Sequence, residues 1–127
     1  MTEGMEAVTS AALGLALDAA VMRQQAIANN VANANTAGYV RQTTNFEREL
    51  EHLKLTLHAS SGARPELFQR VALRLEAVNP AAGAPAGVQL DSEMVDMAQN
   101  AVQYQTLLKG LMRHYAILSS AVSEGKK

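Results

Sequence analysis

Apolar residues near the carboxyl end of the chain recur at alternating spacings of four and three. The ten positions of this repeat are Leu90, Met94, Met97, Ala101, Tyr104, Leu108, Leu111, Tyr115, Leu118 and Val122. An unbroken repeat of 3.5 residues is the seam of a coiled coil, and it predicts a helix over residues 91–123. Such a helix is about 50 Å long. Asp91 and Ser92 are suitable caps for its start, and Glu93 places negative charge near the positive end of the helix dipole.

A weaker repeat of the same kind lies near the amino end. It predicts a second long helix over residues 9–34, and its members are Leu13, Leu17, Ala20, Gln24, Ile27, Val31 and Ala34. Gln24 is the polar member of this seam, and such a residue fixes the register of paired helices at some cost in stability. Two long helices at the two ends of a short chain pair naturally as an antiparallel coiled coil. The expected fold is therefore mainly α, with these helices as its core.

The middle of the chain follows other patterns. A short helical stripe is formed by Phe46, Leu50, Leu53 and Leu57, and over residues 71–78 apolar and polar positions alternate as in a strand. A single strand has no partner here, so the middle segment is expected to be poorly ordered alone or paired with another protein.

A Pro/Gly/Ala-rich linker, NPAAGAPAG, precedes the last helix. With the patterns above, it divides the chain into three parts. The amino-terminal helix with an Asn-rich turn covers 1–38, a variable middle segment with a short helix and flexible linker covers 39–89, and the heptad helix covers 90–127. The two ends are expected to form one structural domain.

The two predicted long helices carry few charges. Over residues 10–34 the charged side chains are Asp18 and Arg23, and residues 97–108 contain none. A helix that is uncharged all round is usually buried on more than one side. Two antiparallel helices cannot bury all of that surface, so neighbouring copies or partner proteins are expected to cover the rest.

Composition argues against nucleic-acid binding. The net charge is −1, from 11 Lys and Arg against 12 Asp and Glu, and no basic field exists to hold a phosphate backbone. The arginines of the middle segment alternate with glutamates, which is typical of a mixed solvated surface; they are Arg41, Arg48, Arg64, Arg70 and Arg74.

Candidate chemistry is sparse. The chain has no cysteine, which excludes disulfides and thiolate chemistry. His52 and His58 are not spaced to share a helical face, and His114 stands apart from both. No phosphate-binding or dinucleotide-binding motif occurs. We therefore expect no enzyme, no catalytic or metal site, no cofactor and no small-molecule substrate.

The chain contains no uninterrupted run of about 18 apolar residues, so an integral membrane protein is not expected. Its amino terminus, MTEGMEAVTS, is acidic and lacks the pattern of a signal peptide. Any export is therefore expected to use a route that cleaves no signal.

An Asn-rich stretch, ANNVANANTAGYVRQ, follows the first predicted helix. Asn is a poor helix former that caps and bends the chain, and Gly38 tolerates the left-handed conformation. Placed after an amphipathic helix, the stretch resembles the signature of the flagellar rod and hook family of bacterial axial proteins. The matching positions are Asn29, Asn30, Val31, Ala32, Asn33, Thr36, Gly38 and Tyr39. The family's other hallmark is a heptad helix at the carboxyl end, which LDSEMVDMAQNAVQYQTLLKGLM resembles.

The resemblance implies a structural role. It implies a subunit of a helical, tubular rod in the periplasmic space that transmits torque and encloses an export channel. The partners it implies are other copies, other flagellar rod proteins and the junction between the basal-body ring and the export gate. Export would use the flagellar type III apparatus. The resemblance assigns the helix seams to assembly, chiefly Leu13, Leu17, Gln24, Ile27, Met94, Met97, Ala101, Tyr104, Leu108, Leu111, Tyr115 and Leu118.

Length narrows the resemblance within the family. A chain of 127 residues leaves no room for the large β domain that distal rod and hook proteins insert. Two short proximal rod subfamilies remain, and the compact turn TAGYVRQ resembles one of them more than the other, whose turn tends to carry a Pro/Gly-containing insertion. The middle stretch SSGARPELF fits the favoured subfamily only loosely, so both stay open.

Two rival functions come from outside the rod. One is an unrelated helical adaptor that forms homodimers through the carboxyl-terminal heptads. The other is a helical regulator or chaperone of a secretion system. The adaptor explains the seam but neither the Asn-rich turn nor the uncharged helix faces.

Overall fold

Two long helices at the ends of the chain dominate the computed structural model, which describes residues 2–59, 62–83 and 87–126. The elements in chain order are α1 (Thr2–Ala32), β1 (Gln42–Thr44), α2 (Phe46–Ala59), α3 (Pro65–Gln69), β2 (Leu75–Ala77) and α4 (Leu90–Gly125). The expectation of a mainly α fold with a long helix at each end is confirmed. α1 begins earlier than predicted, since no proline interrupts the residues before its heptads.

The start of α4 differs from the sequence expectation. Gln89 occupies the N-cap position in an extended conformation, and Asp91 lies inside the first turn with Glu93. The two acidic side chains therefore act on the helix dipole, but neither Asp91 nor Ser92 caps the helix. The prediction of a side-chain cap was wrong because α4 begins at Leu90, one residue before the predicted start at 91, which places Asp91 and Ser92 inside the first turn.

α1 is the central element, in contact with α4, α3 and β1. Asn30 of α1 lies opposite Glu93, and the carbonyl of Ala20 lies opposite Asn100. The two helices therefore run in opposite directions. Whether they supercoil around each other stays a prediction.

The apolar core is small and rich in alanine. Its fully buried members are Ala19, Ala20, Ala26, Ile27 and Leu53. Alanine lets helix backbones approach closely, but it covers little of the surrounding surface. Many large apolar side chains of α1 and α4 consequently remain exposed in the single chain.

The middle segment is more ordered than the sequence analysis expected. β2 pairs antiparallel with β1, with Thr43 opposite Glu76. The backbone N–H of Asn45 donates to the carbonyl of Arg74 at 3.1 Å, which extends the pairing beyond the strands. The prediction that the strand lacks a partner within the chain was wrong, because β1 is three residues long and too short to show alternation.

The linker expected at 79–87 carries no helix or strand over residues 79–83 and at Gly87. Residues 84–86 of that linker lie outside the described residues, as do Ser60 and Ser61. Pro65 occupies the first helical turn of α3, where its missing N–H costs no hydrogen bond.

Among the residues that the structure describes, one helix, Gly4–Ala32, is long and apolar enough by length and composition to cross a membrane. The sequence has no uninterrupted apolar run there because polar side chains, Asp18 and Arg23 among them, are interspersed. A single such helix is weak evidence for a membrane span, since core helices of soluble proteins meet the same test.

Candidate functional site

The Asn-rich stretch forms the end of α1 and a tight turn after it. The side-chain and backbone N–H groups of Asn33 donate to the carbonyl of Asn29 at 2.9 and 3.1 Å. The N–H of Tyr39 donates to the carbonyl of Thr36 at 3.2 Å, and Gly38, the third residue of this β-turn, has φ +76°. A positive φ at that position favours glycine. The turn therefore brings the chain back along α1 towards β1.

Asn30 is fully buried and uses its whole hydrogen-bonding capacity. Its Nδ2 donates to the carbonyl of Gln42 at 2.9 Å and to Oε2 of Glu93 at 3.3 Å. Its Oδ1 accepts from the N–H of Gln42 at 2.8 Å and from the hydroxyl of Tyr39 at 3.0 Å. A side-chain amide has two donors and two acceptor sites, and all four are satisfied here. Asn30 thus joins α1 to the turn, to β1 and to α4.

Glu93 is a buried carboxylate paired with an arginine. Its side chain is 1% exposed, and its Oε1 lies 2.5 Å from Nε of Arg41. Arg41, which is about one third exposed, also reaches Asp96 at 3.5 Å. A buried charge is stable only when it is paired and hydrogen-bonded. Arg41 and Asn30 together meet that requirement for Glu93.

A second buried polar contact lies further along α4. Nδ2 of Asn100 donates to the carbonyl of Ala20 at 2.9 Å, and Oδ1 of Asn100 accepts from Arg23 at 3.4 Å. Arg23 also pairs with Glu47 at 2.8 Å and lies 6.0 Å from the ring centre of Phe46. Asn100 and Arg23 therefore connect α1, α4 and the start of α2.

These contacts form two polar layers between α1 and α4. Arg23 and Asn30 lie one heptad apart on α1, and Glu93 and Asn100 lie one heptad apart on α4. In the antiparallel arrangement Asn30 meets Glu93 while Arg23 meets Asn100. A shift of one heptad would leave the Glu93 carboxylate without one of its partners, at a considerable cost in free energy. The two layers therefore specify both the direction and the register of the helix pair, as a polar seam residue does in coiled coils.

A third buried asparagine holds the middle segment together. Oδ1 of Asn45 accepts from the N–H of Arg74 at 2.8 Å, and its Nδ2 donates to the carbonyl of Ala72 at 2.9 Å. Asn45 directly precedes α2, yet its side chain does not cap that helix and instead forms these hydrogen bonds with the backbone of Ala72 and Arg74. It thereby ties α2 to the extended residues before β2.

An exposed ion-pair cluster lies beside this segment. Arg48 of α2 pairs with Glu76 of β2, which also accepts from Nε of Arg74 at 3.2 Å. The hydrogen bond from Arg48, followed by the charges of both arginines, holds the pKa of Glu76 below its ordinary value of 4.5. The same bond raises the pKa of Arg48.

The structure brings most of the predicted motif residues together. Asn29, Asn30, Asn33, Thr36 and Tyr39 belong to one hydrogen-bonded cluster, in which Gly38 supplies the turn. Val31 is half-buried, and Ala32 is exposed as the last residue of α1.

The predicted seam residues divide into two groups. Those at least partly covered within the chain are Leu13, Leu17, Ile27, Met97, Leu111 and Leu118, whereas those exposed are Gln24, Met94, Ala101, Tyr104, Leu108 and Tyr115. The side of α4 nearest α1 instead carries Glu93, Asn100, Leu107 and His114. Each of these residues directly precedes one of the exposed residues Met94, Ala101, Leu108 and Tyr115. Whether the exposed positions serve assembly stays a prediction.

Sequence reasoning missed the partners of the asparagines. Arg41 was assigned to a mixed solvated surface, and that was wrong because its guanidinium pairs with buried Glu93. The other four arginines of that group are exposed. Equal heptad spacing of Arg23–Asn30 and Glu93–Asn100 is the signal that could have revealed the layers.

Within the described residues, no group of three or more His, Asp or Glu side chains is arranged to hold a metal ion. The polar groups of the two layers bond one another, which suits them to positioning helices.

Comparison with known proteins relates this chain to bacterial flagella. The profile of a family described as "Flagella basal body rod protein" matches residues 13–39, the segment that contains both Arg23 and Asn30. The flagellar basal body rod protein FlgB of Bacillus subtilis (strain 168) is 28% identical over 118 residues, which cover 87% of this chain and 90% of that protein. The match to FlgB favours the short subfamily with the compact turn.

Proposed function

We propose that this chain, which belongs to the flagellar basal-body rod protein family and is most like FlgB, is a self-assembling subunit of the proximal rod. In this role it is a structural component of the basal body. Copies of the chain and other rod proteins pack their helices side by side into a tube. The tube transmits torque and encloses the channel through which later subunits pass.

The observation that carries this proposal is the junction made by the family-matched segment. Residues 13–39 supply Arg23 and Asn30, and these two side chains hold α4 at a fixed register. A subunit of a rotating shaft must keep its helices from sliding under load. Buried polar layers oppose sliding, because any slip strands a buried charge or amide.

The exposed apolar surface also supports assembly. Val21 on α1 is 57% exposed, and Val102 and Met112 on α4 are 65% and 63% exposed. Large apolar surfaces on one chain mark places where other chains bind. In the assembled rod the two long helices would wind as an antiparallel coiled coil, and neighbouring subunits would cover their outer faces.

Position and export follow from the same proposal. The rod subunit lies in the periplasm between the ring and export gate and the more distal rod proteins, and the flagellar type III apparatus exports it without signal cleavage. It requires no cofactor and catalyses no reaction.

Deletion and complementation test this function. A strain lacking the gene for this chain should be non-motile and should yield basal bodies without a rod, and the intact chain should restore both. Normal rods in the deletion strain would contradict the proposal. Recovery of the chain only from the cytoplasm, bound to other export substrates, would favour the rival role of secretion chaperone.

A further inference from the structure

β2 bonds β1 along one of its two edges. The N–H of Val78 donates to the carbonyl of Arg41 at 2.8 Å. At the other end of the pairing, the N–H of Asn45 donates to the carbonyl of Arg74 at 3.1 Å. In an antiparallel pair such bonds join every second residue, so Arg74, Glu76 and Val78 bond towards β1. The N–H and C=O groups of the residues between them therefore point away from β1.

The residues whose backbone groups point outwards are Leu73, Leu75 and Ala77. Leu73 belongs with them because the residues on either side of it both bond Asn45. Within the part of the chain that the structure describes, the backbone groups of these three residues form no hydrogen bond. A row of unpaired N–H and C=O groups is a template for one further strand. We call this row, residues 73–77, the open edge of β2.

Two charged side chains in the open edge indicate which strand completes it. Arg74 and Glu76 lie on the same face of the strand, because side chains alternate along it. Nε of Arg74 lies 3.2 Å from Oε1 of Glu76, and the two side chains are 66% and 23% exposed. Opposite charges directly across an antiparallel pair stabilise it, whereas like charges destabilise it. The open edge carries one charge of each sign, two residues apart, so it suits a strand with the same pattern read in the opposite direction.

A second copy of the open edge meets these conditions in one register. In that register Leu75 lies on a two-fold axis against its own copy, and Leu73 faces Ala77. Arg74 of each chain then faces Glu76 of the other. Residues that bond outwards face one another throughout, as an antiparallel ladder requires. A shift by one residue breaks this match, and a shift by two in either direction sets Arg74 against Arg74 or Glu76 against Glu76.

We propose that the free chain forms a two-fold symmetric dimer in which the open edges of two β2 strands pair antiparallel. The two short sheets then become one sheet of four strands, in the order β1-β2-β2-β1. Glu76 of each chain lies close to Arg74 of both chains. A two-fold contact closes on itself, whereas a rod grows by contacts that repeat without closing. The dimer goes beyond the proposed rod function, as a state of the unassembled subunit.

Sedimentation equilibrium of the purified full chain tests the dimer. The wild-type chain should sediment as a dimer. Ala77→Pro removes an N–H that makes no bond within the chain, and it should raise the dissociation constant at least about 10-fold. Ala81→Pro is the matched control, since Ala81 is exposed beyond the end of β2 and its variant should remain a dimer. A wild-type chain that is monomeric at about 0.1 mM, as expected if a strand of another protein completes the edge, would overturn the proposal, as would equal effects of the two variants.

Exchange of the two charges tests the register. Arg74→Glu and Glu76→Arg each oppose like charges across the dimer of that variant, so each alone should raise the dissociation constant about 10-fold. In a mixture of the two variants every facing pair at these positions has opposite charges again, so mixed dimers should form with close to the wild-type affinity.

Circular dichroism of each variant must first show a folded chain. A mixture that associates no better than either variant alone would overturn the proposed arrangement. The rod function is separable: a monomer that still enters rods overturns only the dimer, and a dimer that never enters rods overturns only the rod function.

Discussion

Asn30 shows how a single side chain can replace part of a sheet. Its amide donates to the carbonyl of Gln42 and accepts from the N–H of the same residue, as a neighbouring strand would. Its remaining donor reaches Glu93 on α4. Because no smaller or charged side chain offers this set of donors and acceptors, asparagine is specifically required.

Replacement of Asn30 by aspartate should destabilise the chain strongly. Asn30→Asp keeps the size of the side chain but removes both donors and places a second carboxylate beside Glu93. We expect a loss of about 2–4 kcal/mol in the free energy of unfolding, measured by urea denaturation. Asn35→Asp, at an exposed position of the same turn, is the control and should change it by less than about 0.5 kcal/mol. Equal losses in the two variants would contradict the structure.

The Arg41–Glu93 pair leads to a double-mutant experiment. Arg41→Leu leaves a buried carboxylate without its cation and should cost about 3–5 kcal/mol. Adding Glu93→Leu should recover most of that loss, since the unpaired charge is then gone. Arg113→Leu, at an exposed position on α4, serves as the control. Additive losses from Arg41→Leu and Glu93→Leu would show that the two side chains do not interact.

At the level of elements, periodicity predicted the two long helices and the short helix α2. It could not predict β1, because three residues carry too little pattern. Periodicity also predicted that the face of α4 with Met94, Leu108 and Tyr115 packs against the other long helix. In the structure the neighbouring face with Glu93 and Asn100 lies against α1 instead. The paired polar groups of these two residues determine the rotation of the helix. The motif asparagines could be recognised from sequence, but their partners could not, because Glu93, the partner of Asn30 on α4, lies 63 residues away along the chain.

The link between α2 and β2 should depend on pH. Arg48 and Arg74 hold the pKa of Glu76 below 4.5. A lowered pKa in the folded state stabilises the fold above the ordinary value, and this contribution is lost as the pH falls through the lowered pKa. NMR titration of the Glu76 carboxyl should therefore give a midpoint below 4.5, and Arg48→Gln should move it upwards. An unchanged midpoint in the variant would show that the pair is absent in solution.

The ends of the long helices should be less ordered than their centres. The last turns of α4, residues 119–126, are exposed throughout, and helix ends without tertiary contacts fray. Amide exchange in the dilute monomer should be fast there and at the start of α1. It should be slow around Asn30 and Asn100. Strong protection over the full length of both helices would contradict this expectation.

At the scale of the molecule, an ordered polar junction coexists with a thin apolar core. The buried apolar residues are mostly alanines, whereas large side chains such as Val102 and Met112 face outwards. Such a chain leaves large apolar side chains uncovered. The missing charges on the two long helices predicted that neighbouring chains cover this surface, and that expectation stays a prediction.

A charge on these surfaces should disrupt the assembly. Leu108→Asp and Leu111→Asp each place a carboxylate where we expect helices to pack, and burial of an unpaired charge is costly. Each variant should abolish motility and rod formation in a strain that lacks the native chain. Leu111 is partly covered within the chain, so circular dichroism of that variant must first show a folded protein. Motile cells that carry folded Leu108→Asp protein would count against its place in the interface.

Electron cryo-microscopy of purified basal bodies tests the central claim most directly. We expect density for the two antiparallel helices of this chain in the proximal rod, with Asn30 beside Glu93 and with neighbouring subunits against the exposed face of α4. A fully resolved rod composed of other proteins, with no position for this chain, would contradict the proposed function.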